Sequence, residues 1–325
     1  MTFSDKAMQA AEHLCGHCGS LSAGEAALVL CQDTTLDVAQ AIQAAATDIG
    51  AVPLVMVLPD VKMHGVEPPA PVAAAMKAAD VIFCVTPSSL AHTQARFAAT
   101  ETGARYLSLP DYSINVLESA ALMADFRGLQ DDCERLGRHL DPGQSVQVKT
   151  PAGTDITFSI QGRSSNHAPG YVEAPGSLGS PPDAEINIAP IETTVSGRAV
   201  IDGSIPVRHI GLLEASVTLV FKDGAVVDVE GEPEMVETVN AMFDRVGPKA
   251  RILGEFGIGL NPLAELCGVM LEDEGTRGTV HLGIGSNATI GGKNHVPFHV
   301  DFIMRDADVY IDGTHVLHCD EILVK

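Results

Sequence analysis

Apolar and polar positions alternate along the first 140 residues or so in a regular order. Ala26–Gln32 (AALVLCQ) is a continuous apolar run and predicts a buried strand. Leu36–Ile49 carries apolar residues at helical spacing. Val52–Leu58 predicts a second strand, Pro71–Ala79 an Ala-rich helix, Asp80–Val85 a third strand, Ala91–Thr102 a helix and Ala104–Leu109 a fourth strand. Short apolar strands separated by helices indicate a parallel sheet covered on both faces. Val116–Leu140 then predicts one long helix or a broken pair.

The texture changes after about residue 143. Ser145–Lys149 and Asp155–Ile160 flank the turn Pro151-Ala-Gly-Thr154, and Val217–Phe221 and Ala225–Val229 flank Lys222-Asp-Gly224, a hairpin signal. Glu234–Arg245 predicts a helix, and Asn261-Pro262 has the cap and first-position pattern of another. Val300–Ile311 and Thr314–Val324 predict a hairpin around Asp312-Gly313. The expected fold class is an α/β N-terminal domain with a mostly parallel, Rossmann-like sheet over residues 1–143. An α+β metal-binding domain is expected over residues 144–325.

Composition narrows the function classes. Twenty Lys and Arg against 42 Asp and Glu give a net charge of −22, which repels phosphate backbones and anionic headgroups. There is no Trp and only 4% aromatic residues, so a base-stacking platform is not expected. No apolar stretch approaches the ~20 residues of a membrane span. The expectation is a cytoplasmic protein that contacts neither nucleic acid nor membrane. Seven Cys, an odd number, fit reduced thiols. Cys15-Gly-His-Cys18 has no second pair at zinc-site spacing and does not follow a strand, so it reads as packing. The turn after the first strand, Cys31-Gln-Asp-Thr-Thr35, lacks the dinucleotide glycine fingerprint.

The chemistry concentrates between residues 255 and 301. In the strand-like Pro297–Met304, His299 and Asp301 are two apart and share a face, suiting a divalent metal. Thr279–Gly285 places His281 in a short strand that runs into a glycine turn. Glu255 lies in Gly254-Glu-Phe-Gly-Ile-Gly259, and Glu185 heads the apolar segment before Pro190.

Five segments occur here in the order found in the aminopeptidase T family, the thermophilic-type metalloaminopeptidases often labelled leucyl aminopeptidases. They are Asp183–Pro190, Gly254–Pro262, Thr279–Gly285, Gly291–Asn294 and His299–Asp301. The sequence resembles that family over most of its C-terminal half. The resemblance implies that Glu185, Glu255, His281, His299 and Asp301 match the ligands of a two-metal centre of zinc, cobalt or manganese. It also implies a homodimer with an enclosed active site. Two features depart from the pattern: the chain is shorter, and Ala288 stands where those enzymes carry a Tyr that stabilises the reacting carbonyl oxygen. A second branch of the same fold, the non-haem iron dioxygenases that open 2,5-dihydroxypyridine, is similar too. That branch carries a His where this chain has Glu255 and has no equivalent of His281. His281, His299 and Asp301 could supply its iron(II) triad.

The expected function is metal-dependent hydrolysis of a peptide or small amide bond. In this reading Glu255 takes the proton, and Asn294 and His295 contact a small-molecule or short-peptide substrate. Tyr171, His167 and His295 are the candidates to replace the missing Tyr. The alternatives are a ring-cleaving iron(II) dioxygenase acting on a hydroxypyridine-like aromatic and a non-catalytic binding protein on a degenerate peptidase site. Three carboxylates drawn together without cations should splay apart or resist ionisation.

Overall fold

Hydrophobic runs of five or six residues need cover on both faces, and in the N-terminal region helices supply it. The computed structural model describes residues 3–60 and 63–325. In one unit, Met1–Arg127 with Gly170–Pro182, five strands form a parallel sheet. Their order is Val52–Val57, Ala26–Cys31, Val81–Val85, Arg105–Ser108 and Leu178–Gly179. Val81–Val85 is buried at every position, as expected of a strand packed on both faces. The expected helices appear at Leu36–Ile49, Ala70–Lys77 and Gln94–Glu101. Leu36–Ile49 stops at Gly50, whose φ of +87° is the left-handed conformation that closes a helix.

The second unit comprises Gly128–Pro169 and Asp183–Lys325. The division is therefore not a single cut near residue 143. Val116–Leu140 breaks into Ile114–Leu117, a 3-10 turn Ala120–Met123 and Leu129–Leu140. The last of these buries Cys133, Leu136 and Leu140 in the core of the second unit. Gly170–Pro182 returns to the first unit to add its fifth strand.

Two antiparallel sheets share that core. An eight-stranded sheet runs in the order Ala225–Glu230, Val217–Lys222, Ser196–Ile201, Asp155–Ser159, Ser145–Lys149, Asp308–Ile311, Thr314–His318 and Glu321–Ile322. A seven-stranded sheet runs in the order Gly211–Leu212, Ser204–Ile205, His299–Arg305, Thr279–Gly285, Leu253–Gly259, Glu185–Ile188 and Asn166–Ala168. Phe158 of the first meets Phe256 of the second, ring centroids 5.3 Å apart.

Two expected elements differ. Val300–Ile311 is not one strand: it divides at Asp306, whose φ of +51° turns the chain from the seven-stranded into the eight-stranded sheet. No helix starts at Asn261. Its N–H donates to the Gly275 carbonyl and its carbonyl accepts from Arg277, so a bridge to Thr276 takes the backbone groups a helix would use. Its side chain still accepts from Leu263 N–H, which caps a turn instead. Among the described residues, no helix is long and apolar enough to cross a membrane.

Candidate metal centre

Four neighbouring strands of the seven-stranded sheet build the site, and their register decides which side chains meet. Gly259 pairs with Glu185, Gly257 with Asn187 and His281, Glu255 with Gly283, Gly283 with Asp301, and Gly285 with His299. Cross-strand partners share a face, so Glu185, Asn187, Glu255, His281, His299 and Asp301 all project to one side. The alternate residues, Ile186, Ile188, Phe256, Ile258, Val280, Leu282, Ile284, Val300, Phe302 and Met304, enter the apolar core on the other side.

Glycines on the polar face make the cluster possible. A Cβ on Gly257 would lie 2.1 Å from both His281 Cε1 and Nε2, and 2.9 Å from Glu185 Oε2. A Cβ on Gly283 would lie 2.7 Å from His299 Cε1 and 2.7 Å from Glu255 Cβ. Neither glycine has a left-handed φ. They are present for space, and the functional side chains fold over them.

His281 Nε2 lies 3.0 Å from Glu185 Oε2. His299 Nε2 lies 3.2 Å from Glu255 Oε2 and 3.3 Å from Asp301 Oδ1. The other ring nitrogen of His299 donates to the Ser286 carbonyl at 2.9 Å, which fixes the ring orientation and aims Nε2 at the carboxylates. Asn187 Nδ2 donates to Glu185 Oε1 at 2.7 Å and holds that carboxylate in place. Two sets of ligand atoms result, each within 4.8 Å: Glu185, Glu255 and His281, and Glu255, His299 and Asp301. Glu255 belongs to both. Among the described residues, His281, His299 and Asp301 form no such set by themselves.

Burial and proximity set the charges. Burial works to depress the His281 imidazole, but Glu185, Asp301 and Glu255 outweigh it and raise its pKa to about 9. The same opposition leaves His299 well above the ordinary histidine value, through Asp301 and Glu255. Burial raises Glu255, partly relieved by His299. Burial likewise acts to raise Asp301, yet the His299 charge and hydrogen bond hold it well below the usual carboxylate range. The acidic shell thus divides: Glu255 resists ionisation as expected, and Asp301 does not, because an imidazolium sits on it.

Two further carboxyls lie in the cluster. Burial first, then the charges of Glu185, Glu255 and Asp301, raise Asp183 well above its ordinary value. Burial and the neighbouring Asp301, to which it hydrogen-bonds, do the same for Glu274. In this state protons on Asp183, Glu274 and the two imidazoles offset the negative charge. Asp183 Oδ1, Asn187 Oδ1 and His281 Nδ1 are buried without a hydrogen-bond partner. Buried acceptors are normally satisfied, and orphans converging here fit a group that binds cations. The donor set, nitrogen and carboxylate oxygen, suits zinc, cobalt, manganese or iron.

The five residues expected as ligands are thus brought together. Asn294 is buried on the loop 286–297, with its side-chain amide donating to Gly285 O at 2.7 Å and Lys249 O at 2.9 Å, so it staples the loop. His295, next to it, is exposed. His167 pairs with Ile186 rather than with Glu185, and its ring lies over Gly137. Tyr171 lies in the other unit, against the guanidinium of Arg127. Ala288 begins a 3-10 turn. Cys15 and Cys18 lie in a π-helical turn, buried, with their thiols pushed up mainly by burial. The sequence reading missed Asp183, Asn187, Glu274 and the two spacing glycines. The glycines had a signal, since Gly-Glu-Phe-Gly-Ile-Gly and His-Leu-Gly-Ile-Gly repeat with the strand period of two.

Similarity to known proteins follows the same outline. The 2,5-dihydroxypyridine 5,6-dioxygenase of Pseudomonas putida is 24% identical over 264 residues, 77% of this chain and 72% of that protein. Aminopeptidase PepS of Streptococcus thermophilus is 26% identical over 189 residues, 51% of this chain and 44% of that protein. The solved structure of the Pseudomonas putida dioxygenase superposes over 100% of this chain and 99% of its own, with a TM-score of 0.81 at 21% identity. AmpT from Thermus thermophilus superposes over 99% of this chain and 100% of its own, with a TM-score of 0.73 at 17% identity. The fold is therefore the one shared by AmpT and the dioxygenase, an α/β unit followed by antiparallel sheets, and the relatives are enzymes. The profile described as NicX: 2,5-dihydroxypyridine 5,6-dioxygenase matches residues 6–323, so the chain belongs to that family.

Proposed function

We propose that this protein is a metal-dependent hydrolase whose centre holds two divalent cations and acts on a small amide or peptide bond. The observation that carries the reading is the position of Glu255, common to both ligand sets. Glu185 and His281 would complete one site, and His299 and Asp301 the other. When bound, such cations supply a water whose pKa is lowered toward ~7 and a Lewis acid for a carbonyl oxygen.

The chain's own groups do the rest. Asn187 and the Ser286 carbonyl hold Glu185 and His299 in their orientations. Glu255, within reach of both ligand sets, is placed to accept a proton. Glu274 hydrogen-bonds to Asp301 and helps to hold that ligand carboxylate in place. Ala288 leaves the carbonyl oxygen without the aminopeptidase phenol, so ordinary leucine-type peptides should turn over slowly.

The family match supports a second reading, a mononuclear iron(II) dioxygenase acting on a hydroxypyridine-like aromatic. Metal analysis of untagged protein separates the two. Two equivalents of zinc, cobalt or manganese that depend on Glu185, His281, His299 and Asp301, with hydrolysis lost by roughly 100-fold or more in Glu255→Gln, support the hydrolase. One equivalent of iron with oxygen uptake that survives Glu255→Gln supports the dioxygenase and overturns the hydrolase. Absence of metal after reconstitution removes both and leaves a binding protein.

A further inference from the structure

A second cluster of metal-ligating groups lies on the hairpin Asp308–Ile311 and Thr314–His318, in the eight-stranded sheet and away from the strands that carry Glu255. His315 and His318 are three residues apart, and in a regular strand they would face opposite sides. The register shows why they do not. Tyr310 pairs with His315 and Val309 with Leu317, so Val316 is an extra residue in a bulge. Val316 and Leu317 both enter the core, 0% and 2% exposed. Burying two consecutive apolar residues turns both imidazoles to the outer face, where the cross-strand partner of His318 is Asp308.

The three side chains converge on one point. His315 Nε2 and His318 Nδ1 each lie 2.8 Å from Asp308 Oδ1, and the three ligand atoms fall within 4.8 Å of one another. The His315 ring is held by stacking on Tyr310, with centroids 4.4 Å apart and planes 17° from parallel. The three side chains retain 30–57% of their exposure, so an ion can reach them from solvent.

We propose that Asp308, His315 and His318 form a separate binding site for one divalent ion of the zinc, nickel or copper kind. Two imidazole nitrogens and one carboxylate oxygen favour these ions over magnesium or calcium, which prefer all-oxygen sets. Ligands come from both strands, so the ion would clip the hairpin across its bulge and stabilise the folded chain by mass action. The proposal does not depend on the reaction at Glu255.

The test uses the full chain, stripped with a chelator and then titrated with Ni²⁺ and with Cu²⁺. Five proteins are compared: wild type, Asp301→Asn, His315→Gln/His318→Gln, the combination of these two variants, and Asp308→Asn, the last chosen because it keeps the shape of the hairpin. Equilibrium dialysis should show one equivalent fewer in the double-His variant than in wild type, and at least 10-fold weaker binding of that equivalent in Asp308→Asn. A Cu²⁺ electron paramagnetic resonance component split by two nitrogens should be present in Asp301→Asn and lost when His315→Gln/His318→Gln is added to it. One equivalent of Ni²⁺ beyond the number that the double-His variant binds should broaden the His315 and His318 ring protons in wild type and Asp301→Asn alike. Equal equivalents in wild type and the double-His variant, or unbroadened His315 and His318 resonances, would overturn the proposal.

Discussion

Among the strands buried at every position, two do opposite things. Val81–Val85 in the parallel sheet is apolar on both faces and packs against helices. Thr279–Gly285 in the seven-stranded sheet is buried throughout but apolar on one face only, the other carrying His281 and Gly283. Total burial therefore does not distinguish a core strand from a site strand. What distinguishes them is the residue at every second position. A core strand fills both faces with aliphatic volume. A site strand alternates glycine with ionisable groups, so that side chains from neighbouring strands can fold over the gaps.

Replacing Phe83, fully buried in the core strand, tests the comparison most severely. Phe83→Ala should cost about 3–5 kcal/mol of stability. It should leave metal stoichiometry untouched in the protein that remains folded, as chemical denaturation paired with metal analysis would read. Loss of metal at constant fold would mean that the two strands are not functionally distinct.

Gly257→Ala is the converse. A methyl group 2.1 Å from the His281 ring must push it aside. The expected cost is about 1–3 kcal/mol from overpacking. Metal affinity should fall far more than stability would suggest. Normal metal binding with intact secondary structure would show that the glycine does not serve the cluster.

The pH dependence of the metal-free protein sharpens the same point. The His281 pKa is raised to about 9 in the folded state against 6.5 in an unfolded chain. The stability it contributes is fully present below about pH 6.5 and is lost as pH rises toward 9. The loss is on the order of 1–3 kcal/mol. Adding metal should flatten this slope, because the cation replaces the protons. Urea titrations from pH 6 to 9, with and without metal, would show it, and identical slopes would sink the explanation.

The smallest effect is expected from Asn187→Ala, which removes the donor to Glu185 Oε1. Metal affinity should fall roughly 10-fold, with stability changing by about 1 kcal/mol. An unchanged affinity would mean that Glu185 is held by other groups.

Much of this site was legible before any coordinates. His299 and Asp301 share a face because strand geometry requires it, and the resemblance supplied Glu185, Glu255 and His281. Asp183 and Glu274 were not legible. Neither lies on the site face of a strand, and a carboxyl outside regular structure has no periodicity to betray it. Glu274 in particular stands in an acidic run, Glu272-Asp-Glu274, that reads as solvated surface until the fold brings it against Asp301. The Asn261 turn failed for a related reason: its cap chemistry was present, but Gly275 and Arg277 claimed its backbone groups.

Local pattern by itself determined most of the elements, the parallel sheet followed by antiparallel hairpins, and the face that His299 and Asp301 share, because side-chain direction along a strand is a short-range property. Only the tertiary structure decided which strands became neighbours and in what register. It therefore decided that Glu255 lies between two histidines and that Gly257 and Gly283 lie beneath them. It also decided that Leu129–Leu140 and Gly170–Pro182 each belong to a different unit from the one their position in the chain suggests. Those outcomes depend on burying apolar faces contributed by residues more than a hundred positions apart, and no local window contains that competition.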